Sequence, residues 1–314
     1  MKNEIREIVE HSLKKREVFP RVFFDEKNRM RSFQYKLLDK TWEGDINALY
    51  SNYSRTTKLP EEFLAIPSAD SVREVLDSDK KFFMGIVVDT PQIDYNAAGV
   101  MTYKKELVGI AKVYICDEKE DFFQPPKKSL ENNDGKLYFG ISAMLVDNKY
   151  SGKKFGEYLV NGIIENLKGL NFAGVYADCD FRNIASFRAL SANMDFIGFT
   201  DGRQGADGEK TIYTTFFADK KDRKDSSLKL DISKAKNTDE VKDVLLDLLN
   251  EMGNNEVHKR NYGGGHNYIY VTEKPISTKG INVNFGNWKP SRPYDLVAKR
   301  KSQFLASIYK GKSM

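Results

Sequence analysis

The chain's best candidate for anion binding is a short run over residues 146–156, which reads Val-Asp-Asn-Lys-Tyr-Ser-Gly-Lys-Lys-Phe-Gly. The apolar residues before it predict a buried strand over 137–146, and the apolar spacing after it predicts a helix over 155–167. A strand that enters a helix through glycines leaves backbone N–H groups unpaired and directs the positive end of the helix dipole at one point. The run therefore predicts a phosphate or pyrophosphate site, to which Lys153 and Lys154 add charge. A glycine-rich turn with two solvated lysines is the alternative.

A second polar segment follows the next apolar run. Residues 172–179 predict a strand, and Asn183 has the side chain of a helix N-cap. Tyr176, Asp178 and Asp180 alternate, so they would share one face of that strand. We expect Asp178 to be buried and to serve as a general base, with a structural carboxylate paired to a lysine or a backbone N–H as the alternative.

The run over residues 146–156 resembles the acyl-CoA pyrophosphate loop of the GNAT superfamily of N-acyltransferases, usually written Gln/Arg-x-x-Gly-x-Gly/Ala after a strand ending in Val. Gly156 matches the final position, whereas Ser151 stands where Arg or Gln is usual and Lys154 where the first Gly is usual. Gly152 fits the longer form Tyr-Arg-Gly-x-Gly-x-Gly. Because a phosphate is bound mainly by backbone N–H groups, these departures are compatible with cofactor binding.

A second stretch is similar to the same family. Residues 183–190 resemble its Asn-x-x-Ala/Ser helix, and residues 195–199 resemble the Gly-Phe strand that follows. Leu190 stands where many members carry a Tyr that protonates the departing CoA thiolate, and Asp195 replaces an expected Gly. The resemblance covers about residues 33–220.

The resemblance implies an N-acetyltransferase that moves an acetyl group from acetyl-CoA to a primary amine, whose identity the sequence leaves open. It implies that the proton acceptor is Asp178, with Ser142, Tyr138 or a water relay as alternatives. A backbone N–H at the strand end would polarise the thioester carbonyl. The implied cofactor-binding residues lie on the strand end, the loop and the second helix: Met144, Leu145, Val146, Ser151, Gly152, Lys153, Lys154, Phe155, Gly156, Asn183 and Ser186.

The expected fold class is α+β, with a mixed, mostly antiparallel, GNAT-like sheet flanked by helices and a C-terminal extension. Further strands are predicted over 33–42, 81–88, 108–115, 196–200 and 211–217, and helices over 44–53 and 71–76. A turn-rich loop over 125–135 precedes the cofactor strand. The expected parts are an N-terminal helical segment (1–32), an acyltransferase domain (33–220) and an extension (228–314).

The composition of the chain bears on its core, its cellular compartment and its metal content. The chain has 314 residues, 40% hydrophobic and 30% charged, enough to bury a full core. Its two cysteines, Cys116 and Cys179, lie far apart in predicted strands, as expected in a reducing cytoplasm. The sequence shows neither a long apolar run nor a signal-peptide pattern, so we expect no membrane association. The three histidines show no metal-ligand spacing, so we expect no metal.

The extension opens with a helix predicted over 238–252 after a capping-box pattern. Its apolar face must pack on the core or on a second copy of the chain, which leaves a homodimer open. Residues 256–314 hold 11 Lys/Arg against 3 Asp/Glu, interleaved with aromatic residues. This surface could bind nucleic acid or another anionic partner. We favour extra strands over 268–272 and 281–285 with solvated lysines, because the positive charges form no dense block.

Two other functions stay open at this point. The chain could be a CoA-binding regulatory pseudoenzyme, which would bind CoA without turnover. It could instead modify or bind nucleic acid through its basic extension, which would give a steep salt dependence of binding.

Overall fold

The computed structural model describes residues 2–16, 21–25, 27, 29–56, 64, 66–94, 100–116, 136–170, 172–204, 210–220, 226–251, 258–262, 267–271 and 278–286. The α-helices of these ranges are α1 (Lys2–Arg16), α2 (Glu43–Thr56), α3 (Ala69–Asp77), α4 (Phe155–Leu167), α5 (Ile184–Ser191) and α6 (Thr238–Glu251). Among them, none combines the length and apolar composition needed to cross a membrane. The predicted loop over 125–135 and most of residues 256–314 lie outside the described residues.

The strands are β1 (Arg21–Phe24), β2 (Met30–Leu38), β3 (Lys81–Asp94), β4 (Val100–Ile115), β5 (Leu137–Val146), β6 (Phe172–Asp180), β7 (Asp195–Gln204), β8 (Lys210–Ala218), β9 (Lys229–Asp231), β10 (His258–Tyr262), β11 (Asn267–Val271) and β12 (Asn282–Asn284). Within the described ranges, ten of them form one sheet in the order β1-β2-β3-β4-β5-β6-β8-β7-β11-β10. The neighbours in this sheet are antiparallel except β5 and β6, which run parallel because α4 forms a crossover between them. The expected fold class is confirmed.

Helices cover both faces of the sheet. On one face, α2 and α3 pack Ile46, Leu49 and Val72 against strand residues that include Leu145. On the other face, α1, α4, α5 and α6 contribute to the larger core. The predicted apolar spacing of α4 accounts for its place there, since Leu159 and the other apolar residues of that face are buried.

The described part of the extension is attached to this core. Leu245 and three other apolar residues of α6 are buried in the same cluster as α4, and β11 extends the sheet by pairing with β7. Further along the chain, the Thr278 N–H donates to the Asp195 carboxylate at 2.8 Å. The division of the chain at residues 220–228 stays a prediction.

The prediction of a helical segment over 1–32 is wrong for residues 21–24 and 30–32, which lie in strands. Residues Arg21–Phe24 form β1, and β2 already begins at Met30. Strand alternation buries Phe23 in the core, where its ring meets that of Phe155 edge-on at 4.9 Å between centroids. The strand predicted over 33–42 ends at Leu38, because the Asp39 carboxylate accepts the Thr41 N–H at 2.9 Å and starts a 3₁₀ turn.

Candidate active site

Strands β5 and β6 diverge in the middle of the sheet. Their parallel pairing ends at Ile141 and Ala177, after which β5 continues along β4 and β6 along β8. Ser142 and Asp178 are the first residues beyond the last pair. We call this opening the β5–β6 fork.

A β-bulge lies at the fork on the other edge of β5. The register with β4 changes from Ile110 opposite Leu145 to Lys112 opposite Ser142. One residue of β4 therefore faces two of β5, one of which, Ala143, has a positive φ of 49°. Bulges re-aim backbone and side-chain groups and are common beside active sites.

The loop over residues 147–154, which we call the anion loop, joins β5 to α4. The Asp147 carboxylate accepts the Lys149 N–H at 2.9 Å and starts a 3₁₀ turn over Asn148–Tyr150. The N–H groups of Ser151 and Lys153 donate to carbonyl oxygens of this turn at 3.0 and 3.3 Å. These two N–H groups are thus used within the loop and are not offered to an anion.

The start of α4 has the polarity that an anion needs. Its N-cap residue, Lys154, makes no side-chain capping bond, and the first helical bond runs from the Tyr158 N–H to the Lys154 carbonyl at 2.9 Å. The N–H groups of residues 155–157 precede that bond and carry the positive end of the helix dipole. In contrast, α5 is capped, because Asn183 Oδ1 accepts the Ser186 N–H at 3.1 Å. A cofactor contact of either residue stays a prediction.

The backbone conformation or the packing favours glycine at three positions of the anion loop and the start of α4. Gly152 has φ 74°, and Lys154, which stands where the loop that this run resembles usually has Gly, has φ 61°. Both lie in the left-handed region that side chains disfavour. A Cβ on Gly156 would approach the Cβ of Ala189 to 3.2 Å, so a small residue is also required where α4 packs against α5.

Several predicted cofactor residues can contribute only their backbone. Phe155 and Leu145 are buried in the two cores. Met144 and Val146 are partly buried against the larger core. Lys154 differs from these residues, because its side chain is exposed, with its Nζ 3.8 Å from the Glu157 carboxylate.

The structure places two of the three catalytic candidates at the β5–β6 fork. Ser142 and Asp178 flank the β5–β6 fork, whereas Tyr138 lies farther back on β5, with its ring 5.7 Å from that of Tyr176. By strand alternation all of them share one face. The Ser142 hydroxyl is buried and has no hydrogen-bond partner in the part of the chain that the structure describes.

The expectation that Asp178 is buried is wrong. Its side chain is exposed, because β5 no longer flanks β6 beyond Ala177. The neighbouring Asp180 is the buried carboxylate, and it binds Arg182 through the Nη2 at 2.7 Å. That ion pair fixes the turn between β6 and α5.

Sequence reasoning missed two charged residues of β4. Glu106 accepts hydrogen bonds from Lys149 at 2.6 Å and from Tyr150 and Thr90 at 3.0 Å. Burial raises the pKa of Glu106, but these three bonds outweigh it and lower the pKa overall. Lys112 lies opposite Ser142, and burial lowers the pKa of its amine. The sequence around Glu106 and Lys112 does not predict these contacts, because the register of the strands in the sheet determines which residues lie beside them.

The cysteines and acids suggest no metal site in the ranges described. Cys116 and Cys179 are not joined in a disulfide, and burial raises the pKa of Cys179. Within those ranges, no three His, Cys, Asp or Glu residues are grouped so that they could hold a metal ion.

Comparison with known proteins found similarities among solved structures. No family model and no curated protein sequence matches the chain. An N-acetyltransferase from Staphylococcus aureus is 14% identical over 60% of this chain and 97% of its own, with a TM-score of 0.41. NAA60 from Arabidopsis thaliana in complex with acetyl-CoA is 14% identical over 60% and 98%, with a TM-score of 0.42. An aminoglycoside acetyltransferase in complex with coenzyme A and kanamycin is 19% identical over 60% and 95%, with a TM-score of 0.40.

Proposed function

We propose that this chain is a GNAT N-acetyltransferase that transfers an acetyl group from acetyl-CoA to a primary amine. The observation that carries the proposal is the β5–β6 fork beside the uncapped start of α4. A GNAT-like sheet is present in the chain, as the sequence resemblance led us to expect. The buried Ser142 hydroxyl, which has no hydrogen-bond partner among the described residues, also supports a ligand in the fork, since such groups are rare unless something binds them.

In this proposal, acetyl-CoA lies in the fork along the edge of β5 that β6 leaves unpaired. The backbone of residues 142–146 would bind the pantetheine arm, and the N–H groups of residues 155–157 would bind the pyrophosphate. Lys153 and Lys154 would add positive charge, and Asn183 and Ser186 would flank the arm on the α5 side.

The reaction would follow from these positions. The lone pair of a neutral amine attacks the thioester carbonyl carbon, and a backbone N–H of residues 144–146 stabilises the oxyanion. Asp178, directly or through water, accepts the proton that the amine loses. The C–S bond then breaks, and the CoA thiolate takes a proton from solvent.

A second candidate function is CoA binding without turnover. Leu190, at the usual place of the donor Tyr, is buried in the core, and the Ser191 hydroxyl donates to the Arg188 carbonyl at 3.3 Å. A thiolate with a pKa of about 8.5 can leave near neutral pH without a donor, so we favour turnover. We further propose a cytoplasmic location, supported by two cysteines that are not joined in a disulfide. A homodimer stays open, and a nucleic-acid role of residues 256–314 is not favoured.

The experiment is a calorimetric titration with acetyl-CoA, followed by mass spectrometry of candidate amines incubated with the protein and acetyl-CoA. We expect binding and a product heavier by one acetyl group. Gly156→Glu should abolish binding through a clash and a repelling charge. Gly44→Glu is the matched control, because a Cβ there meets nothing within 4 Å. Absence of binding at millimolar acetyl-CoA contradicts the proposal, and binding without any acetylated amine favours the second candidate.

A further inference from the structure

A second cleft lies beside the anion loop, and of its lining residues only Lys153 also belongs to the proposed acetyl-CoA site. It has a volume of about 170 Å³ and lies between the β1–β2 hairpin, β3 and the anion loop. Its described lining includes no residue of β5, β6 or α5, so it is separate from the β5–β6 fork. Its apolar floor consists of Phe23, Val88 and Tyr150, and its cationic rim of Lys27, Arg29, Arg31, Lys149 and Lys153. We call it the basic cleft.

The hairpin turn holds the cationic side chains in place. Asp25 Oδ1 accepts the N–H groups of Lys27 and Arg29, each at 2.9 Å. Asp25 Oδ2 accepts the Nε groups of Arg29 and Arg31 at 2.8 and 3.1 Å. These bonds hold the pKa of Asp25 well below its usual range. One carboxylate therefore orients two guanidinium groups at the mouth of the cleft.

The positive charge of the basic cleft exceeds the negative charge bound to it. Among the residues that the structure describes, five cations and one carboxylate, Asp25, line the cleft, and Glu106 binds one of these cations, Lys149. The Arg31 side chain is only 16% exposed. Gathering like charges in a partly desolvated space costs free energy unless an anion joins them. The cations therefore leave charge for a further anionic group.

The types of these side chains indicate which anion would fit. A guanidinium presents paired N–H donors that match phosphate oxygens, and lysines add point charges. The floor beneath them is apolar, so it suits a ligand whose phosphate is attached to a carbon skeleton.

We propose that the basic cleft binds a phosphate monoester, held by Arg29 and Arg31 on one side and by Lys149 and Lys153 on the other. Two sources share this chemistry. One is the 3′-phosphate of CoA reaching around the anion loop, and this source rests on the proposed function. The other is a separate phosphorylated small molecule, which would bind whether or not the chain is an acetyltransferase.

Calorimetry with three probes separates these sources. The probes are phenyl phosphate, acetyl-CoA and acetyl-dephospho-CoA, each titrated into the full chain and into the Arg29→Gln/Arg31→Gln variant. If the cofactor supplies the phosphate, acetyl-CoA binds the wild type at least tenfold more tightly than acetyl-dephospho-CoA, and the variant loses this difference. If a separate molecule supplies it, the variant loses at least tenfold in phenyl phosphate affinity and keeps its affinity for both cofactors.

Two further variants control for folding and for general charge loss. Lys27→Gln leaves the turn intact, because Lys27 bonds to Asp25 through its backbone N–H. We expect it to lower at least threefold the affinity for the probe that the double arginine variant binds more weakly. Arg73→Gln removes an arginine that pairs with Glu43 on the opposite face, and should change nothing. Affinities for all three probes that match the wild type in both cleft variants would overturn the proposal.

Discussion

Lys154 is a non-glycine residue in a backbone conformation that favours glycine. Its φ of 61° is left-handed, a conformation that costs a non-glycine residue about 1–2 kcal/mol. Lys154→Gly should therefore raise the free energy of unfolding by up to about 1 kcal/mol, after the larger entropy of an unfolded glycine is subtracted. Urea denaturation would measure it, with Lys154→Ala as the control that removes the charge but keeps the Cβ. Equal effects of Gly and Ala would contradict the strain argument.

Asp178 is the residue on which the proposed proton transfer depends. Asp178→Asn should lower kcat about a hundredfold to ten-thousandfold, the usual contribution of a positioned base, and leave acetyl-CoA affinity unchanged. Asp243→Asn, an exposed carboxylate on α6, is the matched control. Steady-state kinetics at saturating amine would decide. An unchanged rate would remove Asp178 and leave Ser142, Tyr138 or a water relay.

Glu106 joins the anion loop to the β3–β4 hairpin through Lys149 and Tyr150. Glu106→Gln should lower the free energy of unfolding at pH 7 by about 1 kcal/mol, because the charge-assisted bond to Lys149 is lost.

The stability difference between the wild type and Glu106→Gln should depend on pH. The folded-state pKa of Glu106 lies below its usual value of 4.5, so its stabilisation is complete above that pH and is lost as the pH falls through the folded pKa. The difference in Tm between wild type and Glu106→Gln should accordingly be full at pH 7 and shrink at pH 3. A difference that stays constant with pH would show that Glu106 acts by packing alone.

At the scale of elements, a glycine sets how closely α4 approaches β2. The Tyr35 hydroxyl donates to the Tyr158 carbonyl at 2.6 Å, and burial raises the pKa of Tyr35 to about 12. A Cβ on Gly162 would overlap the Tyr35 ring. Since β5 and α4 together position the anion loop, this contact also fixes the start of α4.

Gly162→Ala should lower the free energy of unfolding by about 1–2 kcal/mol, because overpacking outweighs the better helix propensity of alanine. Gly44→Ala is the matched control, since it changes a helical glycine in open space and should be neutral or stabilising by up to about 1 kcal/mol. Thermal and urea unfolding would measure both. Equal effects of the two substitutions would show that the Tyr35 contact does not limit the packing of α4.

At the scale of the whole molecule, α6 and α4 contribute to one apolar core. Leu245 is fully buried, so Leu245→Ala should cost about 2–5 kcal/mol and lower the Tm of the single main unfolding transition. Asp247→Ala, exposed on the same helix, should change little. Calorimetric scans would show the effect. A main transition that keeps its Tm while a second one shifts would mean that residues beyond 228 form a separate module.

The sequence by itself determined most of the described elements, and it predicted the kind of site. Local apolar spacing predicted α4, and the strand predicted over 172–179 is β6 with one more residue. These predictions succeed because each depends on a pattern within about a dozen neighbouring residues. The strand predicted over 81–88 instead continues to Asp94, since backbone pairing with β4 extends a ladder through polar residues that show no apolar signal.

Only the tertiary structure decided which side chains meet at the site. The neighbours Ser142 and Asp178 come from two strands, and their place depends on where the parallel pairing ends. The partners of Glu106 and the cations of the basic cleft likewise depend on register and on how the β1–β2 hairpin packs. A shift of one residue in register turns a side chain to the opposite face of a sheet. Local patterns therefore predict that an anion loop exists, but contacts between distant segments determine what surrounds it.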